Sequence, residues 1–219
     1  VIYLQGVGGI FEENKVYTDC GAIGMQVQPY RSLANGIVKN NEFITLNYAI
    51  WHNYHERLEG NNSLWTYDSN TFEAILKADV TNIHRTTSFG YIWRAIRFET
   101  RKPNAIFSNN TIDGSAWLDE NGDLLYPYDP ENYMENYMYG IKGVDLISNL
   151  GDGSNVEIFG NDFSGILIAV ERQGAYGIAD MSVVLGNNNF PEGMMVFGSQ
   201  IREELITDIA DFIVSDYTQ

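Results

Sequence analysis

An asparagine that returns six times in one sequence context is the feature that most constrains the fold of this chain. Each copy follows an apolar pair and a short polar stretch, and an apolar residue lies two positions after it. The six are Asn14, Asn41, Asn70, Asn110, Asn161 and Asn188. Their separations are 27, 29, 40, 51 and 27 residues. A recurring unit of this kind is typical of stacked repeats, in which the longer separations contain insertions.

Each asparagine unit is followed by a turn and a second short apolar strand, as at Ala74–Leu76 and Gly165–Val170. If such strands form coils that stack in parallel, the asparagines fall in one column. A column of amides satisfies its own hydrogen bonds, and each buried polar group left unpaired would cost about 1–3 kcal/mol. The alternative is an asparagine-rich antiparallel sandwich, which gives no reason for the regular context.

The units Ser108–Gly114 and Gly160–Gly165 resemble the repeat of the right-handed parallel β-helix, which pectate-lyase-like enzymes and phage tailspikes share. The resemblance implies an all-β, right-handed parallel β-helix. It also implies an extracellular, cell-surface or virion-borne protein that binds polysaccharide and cleaves it as a lyase or glycoside hydrolase. The tailspike-like version implies a homotrimer. The alternative is a non-catalytic structural or adhesive segment of a larger surface protein.

The repeat predicts a solenoid over residues 1–198 with an inserted loop at about 117–140. In residues 199–219 the apolar positions follow helical spacing instead. These positions are Ile201, Leu205, Ile209, Phe212 and Ile213. They predict a C-terminal amphipathic helix that caps the last coil, and a packing surface for another subunit is the alternative. The first strand, Val1–Leu4, is expected to be covered by another domain or chain.

The composition narrows the classes of partner. Lysine and arginine number 13 and aspartate and glutamate 29, which gives a net charge of −16. Nucleic acid is therefore not expected as a partner, since its phosphates would be repelled. No apolar run of about 18 residues is present, so no membrane-spanning helix is expected. The single cysteine, Cys20, excludes a disulfide within the chain.

The best candidates for a pair of catalytic acids are Glu73 and Asp113, because each lies three residues after one of the six recurring asparagines. Equivalent positions on adjacent coils lie about 4.8 Å apart along the stack. Glycoside hydrolysis uses two carboxyl groups roughly 5–10 Å apart. The polygalacturonase motifs Asn-Thr-Asp, Asp-Asp and Gly-His-Gly of the resembling family do not occur in this chain.

Three basic residues are further catalytic candidates: His52, His84 and Arg94. Histidine titrates near neutral pH and can serve as acid or base. The resemblance to β-helix lyases implies an arginine that abstracts a proton next to a uronate carboxyl group. The alternatives are a polar loop around His52 and ion pairing of the arginines with neighbours such as Glu99. Strand alternation predicts that at most one of Arg94 and Arg97 points outward.

Aromatic residues and one acidic turn complete the candidate set. Sugar rings have apolar C–H faces that stack on aromatic side chains, and the candidates for this role are Trp51, Tyr54, Trp93, Trp117, Tyr126 and Tyr128. The alternative is that the tyrosines pack the inserted loop onto the solenoid. Calcium is the one candidate cofactor, with Asp119, Asn121 and Asp123 as ligands at alternate positions. The alternative is a hairpin turn at Asn121-Gly122.

Overall fold

The computed structural model describes fourteen segments of the chain. They are residues 2–5, 8–19, 23–28, 35–53, 63–75, 92–99, 104–122, 140–147, 154–166, 168–173, 181–191, 194–201, 204–206 and 213–216. Within these segments the chain is all β, with twenty strands and one 3-10 turn at Ser115–Trp117. The described residues include no helix with the length and hydrophobicity that crossing a bilayer requires.

The strands, numbered in chain order, form three sheets. Sheet A contains β1 (Ile2–Gln5), β4 (Met25–Gln28), β7 (Ile50–Asn53), β10 (Ile92–Glu99), β13 (Gly140–Ile147), β16 (Ile168–Gln173), β18 (Met195–Ile201) and β19 (Glu204–Ile206). Sheet B contains β2 (Gly9–Glu12), β5 (Gly36–Lys39), β8 (Leu64–Asp68), β11 (Asn104–Ser108), β14 (Ser154–Phe159), β17 (Met181–Gly186) and β20 (Ile213–Asp216). Sheet C contains β3 (Lys15–Thr18), β6 (Glu42–Thr45), β9 (Thr71–Ala74), β12 (Thr111–Asp113) and β15 (Asp162–Ser164).

The chain visits sheets A, B and C in turn and then returns to sheet A. From β1 to β14, each strand pairs in parallel with the strand three places later, for example β6 with β9 and β8 with β11. Among the described strands, the pair β18 and β19 alone is antiparallel. The architecture is therefore a parallel β-helix-like solenoid, and the antiparallel sandwich is excluded.

The corner between sheets B and C has the same form in every coil where it is described. Two residues connect the strands, and the first adopts a left-handed conformation with φ between 52° and 66°. These first residues are Glu13, Asn40, Ser69, Asn109, Gly160 and Asn187, and the second is the recurring asparagine. The left-handed region is unfavourable for most L-residues, so the stacked neighbours must hold it in place. A corner of constant length keeps the asparagines in register.

The recurring asparagines form a continuous ladder of hydrogen bonds through the corner. Each side-chain Nδ2 donates to the Oδ1 of the next asparagine over 2.9–3.1 Å, from Asn14 through to Asn188. The same Oδ1 also accepts the backbone N–H of the preceding asparagine over 2.8–3.0 Å. The remaining Nδ2 hydrogen reaches a main-chain carbonyl, as from Asn110 to Tyr67 over 3.0 Å. The buried amides are thereby satisfied.

Inward side chains stack in columns along the axis of the solenoid. On sheet C one column runs in register through Val16, Phe43, Phe72, Ile112 and Phe163. Phe43 and Phe72 stack with ring centroids 5.3 Å apart, and Phe107 of sheet B lies 5.6 Å from Phe72. Gly36 provides space for the ring of Trp65, since a Cβ there would lie 2.2 Å from it. The core is thus a filled interior between three sheets.

The predicted C-terminal helix is not found. Residues 199–201 end β18, while β19 and β20 occupy 204–206 and 213–216. β18 pairs with β16 and β20 pairs with β17, so these strands extend the existing sheets. An open sheet edge offers backbone hydrogen bonds along its length, and this pairing overrides the helical spacing of the apolar residues. The other residues of 199–219 lie outside the described segments.

Candidate functional site

The connections between the sheets vary in length only where they adjoin sheet A. Every connection from sheet B to sheet C that links two strands has two residues. Connections from sheet C to sheet A run from three residues to 17 at 75–91 and 26 at 114–139. Those from sheet A to sheet B reach ten residues at 54–63. Insertions on one face of a rigid repeat are the common location of function, so sheet A is the face to inspect.

Four residues form one cluster on the outer side of sheet A, here called the sheet A cluster: Tyr48, Trp51, Arg97 and Glu99. Trp51 and Arg97 are directly paired in register on β7 and β10. The Trp51 indole N–H donates to Glu99 Oε2 over 2.8 Å, and Arg97 Nη2 lies 3.3 Å from the same oxygen. Arg97 Nη1 donates to the Tyr48 hydroxyl over 2.6 Å. One carboxylate therefore fixes both an aromatic ring and a guanidinium group.

Amide side chains extend the outer face toward the first coil. Tyr3, Gln26 and Trp51 occupy one row of the sheet, because their strands pair in register. Gln26 Nε2 donates to Asn53 Oδ1 over 3.2 Å, and the Tyr3 hydroxyl donates to Gln28. Half of the Tyr3 side chain is exposed. The face thus presents aromatic rings beside hydrogen-bonding groups over three consecutive coils.

The prediction that at most one of Arg94 and Arg97 points outward agrees with their exposure, since 15% of the Arg97 side chain is exposed and Arg94 is buried. Both guanidinium groups lie over the ring of Tyr48, at 4.7 Å and 5.3 Å from its centroid. Four consecutive residues of β10, from Trp93 to Ile96, are buried, so burial does not alternate in this half of the strand. Arg94 is only 1% exposed. It therefore packs against Tyr48 of the sheet A cluster and is not placed to meet a substrate.

Trp93 and Trp117, two of the predicted sugar-stacking residues, lie in the core. Trp93 is fully buried, and its indole N–H donates to Thr45 Oγ1 over 3.0 Å. Trp117 is 2% exposed and belongs to the same hydrophobic cluster. Burial of such large apolar rings stabilises the fold, and it removes both from any surface. Trp51, which is partly exposed, is the described candidate that remains.

His52 is enclosed in the core and so cannot act as a catalytic residue at the surface. Strand alternation on β7 turns it inward, in register with Val27 and Phe98. Its Nδ1 lies 2.6 Å from the Tyr67 hydroxyl. Burial lowers the pKa of His52 to about 3 and raises the pKa of Tyr67, because a charge would lack hydration there. The pair is neutral at physiological pH.

His52 should make the protein less stable as the pH falls from 6.5 toward 3. Its pKa is 6.5 when exposed and about 3 when folded, so the unfolded state binds the proton first. The stabilisation is complete above pH 6.5, and about 2 kcal/mol should be lost between pH 6.5 and pH 5. Urea denaturation at a series of pH values measures this loss. The matched variant His52→Gln should lack this part of the slope, and identical slopes would contradict the assignment.

Glu73 and Asp113 lie side by side on adjacent strands of sheet C. β9 and β12 pair in parallel with Asp113 opposite Glu73, as the asparagine register predicts. Glu73 is exposed and Asp113 partly exposed. Asp113 Oδ1 accepts the backbone N–H of Ser115 over 2.9 Å. Two carboxylates are therefore adjacent on the outer face of sheet C, away from the sheet A cluster.

The acidic turn at Asp119 has a structural explanation. Asp119 Oδ1 accepts a hydrogen bond from the backbone N–H of Asn121 over 2.8 Å. The main-chain carbonyl of Asp119 accepts one from the backbone N–H of Gly122 over 3.0 Å. Gly122 has φ +83°, as the turn requires. No group of three possible metal-ligating residues occurs within the described segments. Asp123, the third calcium candidate, lies outside them.

Four other sequence candidates also lie outside the described segments: Tyr54, His84, Tyr126 and Tyr128. Conversely, Tyr48, Arg97 and Glu99 belong to the sheet A cluster but were not candidates for substrate binding. Alternation along β7 and β10 is the signal that could have found Arg97 and Glu99, since both share the outer face with Trp51. Tyr48 lies in the short connection before β7, and no spacing rule points to it.

The arrangement on sheet A is suited to binding more than to proton transfer. Its carboxylate is held by two donors, and its guanidinium group is held by a carboxylate and a hydroxyl. Such paired charges are rigid hydrogen-bonding groups beside an aromatic ring. Comparison of the chain with protein-family models, curated proteins and solved structures found no match.

Proposed function

We propose that the chain is an extracellular or virion-borne β-helix protein that binds polysaccharide on the outer face of sheet A. The single observation that carries the proposal is the sheet A cluster, in which Glu99 holds Trp51 and Arg97 together on the face where all the variable connections emerge. We infer that the solenoid is right-handed, since crossovers between parallel strands almost always are. This is the geometry of the pectate-lyase-like and tailspike-like families that the sequence resembles.

The chemistry of the cluster suits sugar hydroxyl groups and sugar rings. The exposed part of Trp51 offers an apolar surface for the C–H face of a ring. Glu99, with 31% of its side chain exposed, accepts hydroxyl hydrogens, while the partly exposed amide of Gln26 donates and accepts. The row of Tyr3, Gln26, Trp51 and Arg97 runs along the solenoid axis over successive coils. A polymer lying along this axis would contact several coils at once, which raises its affinity by multivalency.

The proposed setting is a cell surface or a virion, where polysaccharides are met. The tailspike-like form of the proposal is a homotrimer with the solenoids side by side, and the adhesive form is one segment within a larger surface protein. Analytical ultracentrifugation separates the two. A trimeric mass would favour the tailspike-like form, and a monomeric mass would favour the adhesive one.

Replacement of Trp51 by alanine should weaken polysaccharide binding at least tenfold. The variant removes the aromatic surface and leaves Glu99 without one of its two donors. Affinity is measured by calorimetry after a ligand is found in a glycan panel. Tyr17→Ala is the matched control, because Tyr17 is 60% exposed on sheet C, away from the cluster. The proposal fails if Tyr17→Ala weakens binding and Trp51→Ala does not, or if no glycan binds.

A second candidate function is cleavage of a polysaccharide by Glu73 and Asp113 on sheet C, at a site separate from the sheet A cluster. The observation that favours it is their register on adjacent strands, about 4.8 Å apart along the stack. This spacing is close to that of retaining glycosidases, whose carboxyl groups lie about 5–5.5 Å apart. New reducing ends that disappear in Glu73→Gln and Asp113→Asn would support hydrolysis. Binding without new reducing ends would identify the protein as a non-catalytic adhesin.

A further inference from the structure

We infer that the polysaccharide bound by the sheet A cluster is uncharged, and not a polyuronate or another acidic glycan. The inference rests on the proposed function and names its ligand class. It is carried by the pairing of Arg97 and by the acidic residues that follow it along the sheet.

Arg97 is the cation of the cluster, and it is already engaged. Its Nη2 lies 3.3 Å from Glu99, its Nη1 donates to Tyr48, and its guanidinium group covers the Tyr48 ring. Only 15% of its side chain is exposed. Its Nε has no partner among the described residues but is buried, so it is not presented at the surface. A sugar carboxylate therefore cannot gain the bidentate contact by which arginine recognises acids.

The same row of sheet A continues with acidic residues. Asp145 on β13 is in register with Arg97, and Glu171 on β16 is in register with Asp145. The basic residues of these strands fall in other rows: Lys142 aligns with Arg94, and Arg172 aligns with Leu146. By register this row therefore has two acids and one cation, and Glu99 lies two positions after Arg97 on β10. The whole chain has a net charge of −16 and adds a repulsive long-range field.

A neutral sugar does not need a free arginine for binding, and the acidic residues do not repel it. A hydroxyl group donates to Glu99 without displacing Arg97, because the described contacts of this carboxylate use Oε2. An acidic sugar at the same place would bring two carboxylates together and would require one to be protonated or displaced. The site therefore discriminates by an unfavourable interaction with acids as well as by contacts with hydroxyl groups.

The experiment compares glycans that differ only in charge. Fully methyl-esterified and de-esterified polygalacturonan form one pair, and dextran and carboxymethyl dextran form the other. At low ionic strength the uncharged member of a bound pair should bind at least tenfold more tightly, and the difference should narrow in about 0.3 M salt. Tighter binding of the charged member overturns the inference while the proposed function stands. Absence of binding to every glycan of a broad panel overturns both.

A charge-neutral variant tests whether the cluster itself causes the discrimination. Glu99→Gln removes the local negative charge and should improve binding of the charged glycan at least threefold relative to its uncharged partner. Glu13→Gln makes the same change in net charge at an exposed corner remote from sheet A. It should leave the ratio unchanged. Equal effects of the two variants would show that overall charge, and not the cluster, selects the ligand, and would overturn the inference.

Discussion

Replacement of Asn110 by alanine is expected to lower the free energy of unfolding by about 3–5 kcal/mol. Asn110 Oδ1 accepts both the backbone N–H and the Nδ2 hydrogen of Asn70, over 2.8 Å and 3.1 Å. Asn70 is 1% exposed, so water cannot replace these bonds. Each buried donor left unpaired costs about 1–3 kcal/mol. The bonds from Asn110 to Tyr67 and Asn161 are lost as well. Urea denaturation measures the change.

Two variants separate the ladder from ordinary loss of side-chain volume. Asn110→Asp keeps the shape but faces Asn161 Oδ1 with an oxygen in place of a donor, and it should be about as damaging as alanine. Asn14→Ala removes the first amide of the ladder, which is exposed and accepts no hydrogen bond from the described residues. Its loss should be below about 1 kcal/mol. Equal losses for Asn110→Ala and Asn14→Ala would refute the ladder as a source of stability.

Replacement of Phe72 by alanine should lower the free energy of unfolding by a similar amount, about 3–5 kcal/mol. The ring is fully buried between Phe43 and Phe107, with centroids at 5.3 Å and 5.6 Å. Ile112 follows it in register on the next strand. The main chains on both sides belong to continuous sheets and cannot close the cavity without breaking their pairing. The change is measured by urea denaturation. An unchanged slope of the free energy of unfolding against urea concentration verifies two-state behaviour.

Two control variants test whether the loss of stability at Phe72 comes from the cavity that the substitution creates. Phe72→Leu retains most of the apolar volume and should lose markedly less stability than Phe72→Ala. Thr71→Ala changes the exposed neighbour on the same strand and should stay within about 0.5 kcal/mol. If Phe72→Ala were no worse than Thr71→Ala, the stacked column would contribute nothing to stability.

The ladder and the columns together explain why sheet A can hold a precise cluster. Neighbouring coils are tied together by the asparagine ladder at one corner, as at Asn70 and Asn110, and by aromatic stacking in the interior, as at Phe72 and Phe107. β7 and β10 are therefore held in fixed register beside each other. Trp51 can then reach Glu99 on the neighbouring strand, although 48 residues separate them in the chain. A site built on rigid strands keeps its geometry while the connections around it vary.

Local repetition was sufficient for much of this fold. The corner from sheet B to sheet C always has two residues, so a count from each asparagine predicts its neighbour on the next coil. That is why the adjacency of Glu73 and Asp113 follows from their spacing alone. The stacking of parallel strands follows too, since a recurring buried amide can be satisfied most simply by its own copies.

Whether a side chain faces the core or the outside of the solenoid depended on contacts between distant coils. Trp93 was expected at the surface and is buried, where its indole N–H donates to Thr45 on the neighbouring sheet C. His52 was expected at the surface and lies beside Tyr67, because β7 is paired with Val27 on one side and Phe98 on the other. Residues 199–201 followed helical spacing and are strand, because β16 offered an open edge. The asparagine repeat in the sequence determines how neighbouring coils align. The direction in which a side chain points and the pairing of edge strands depend instead on neighbours that are brought together only in the folded protein.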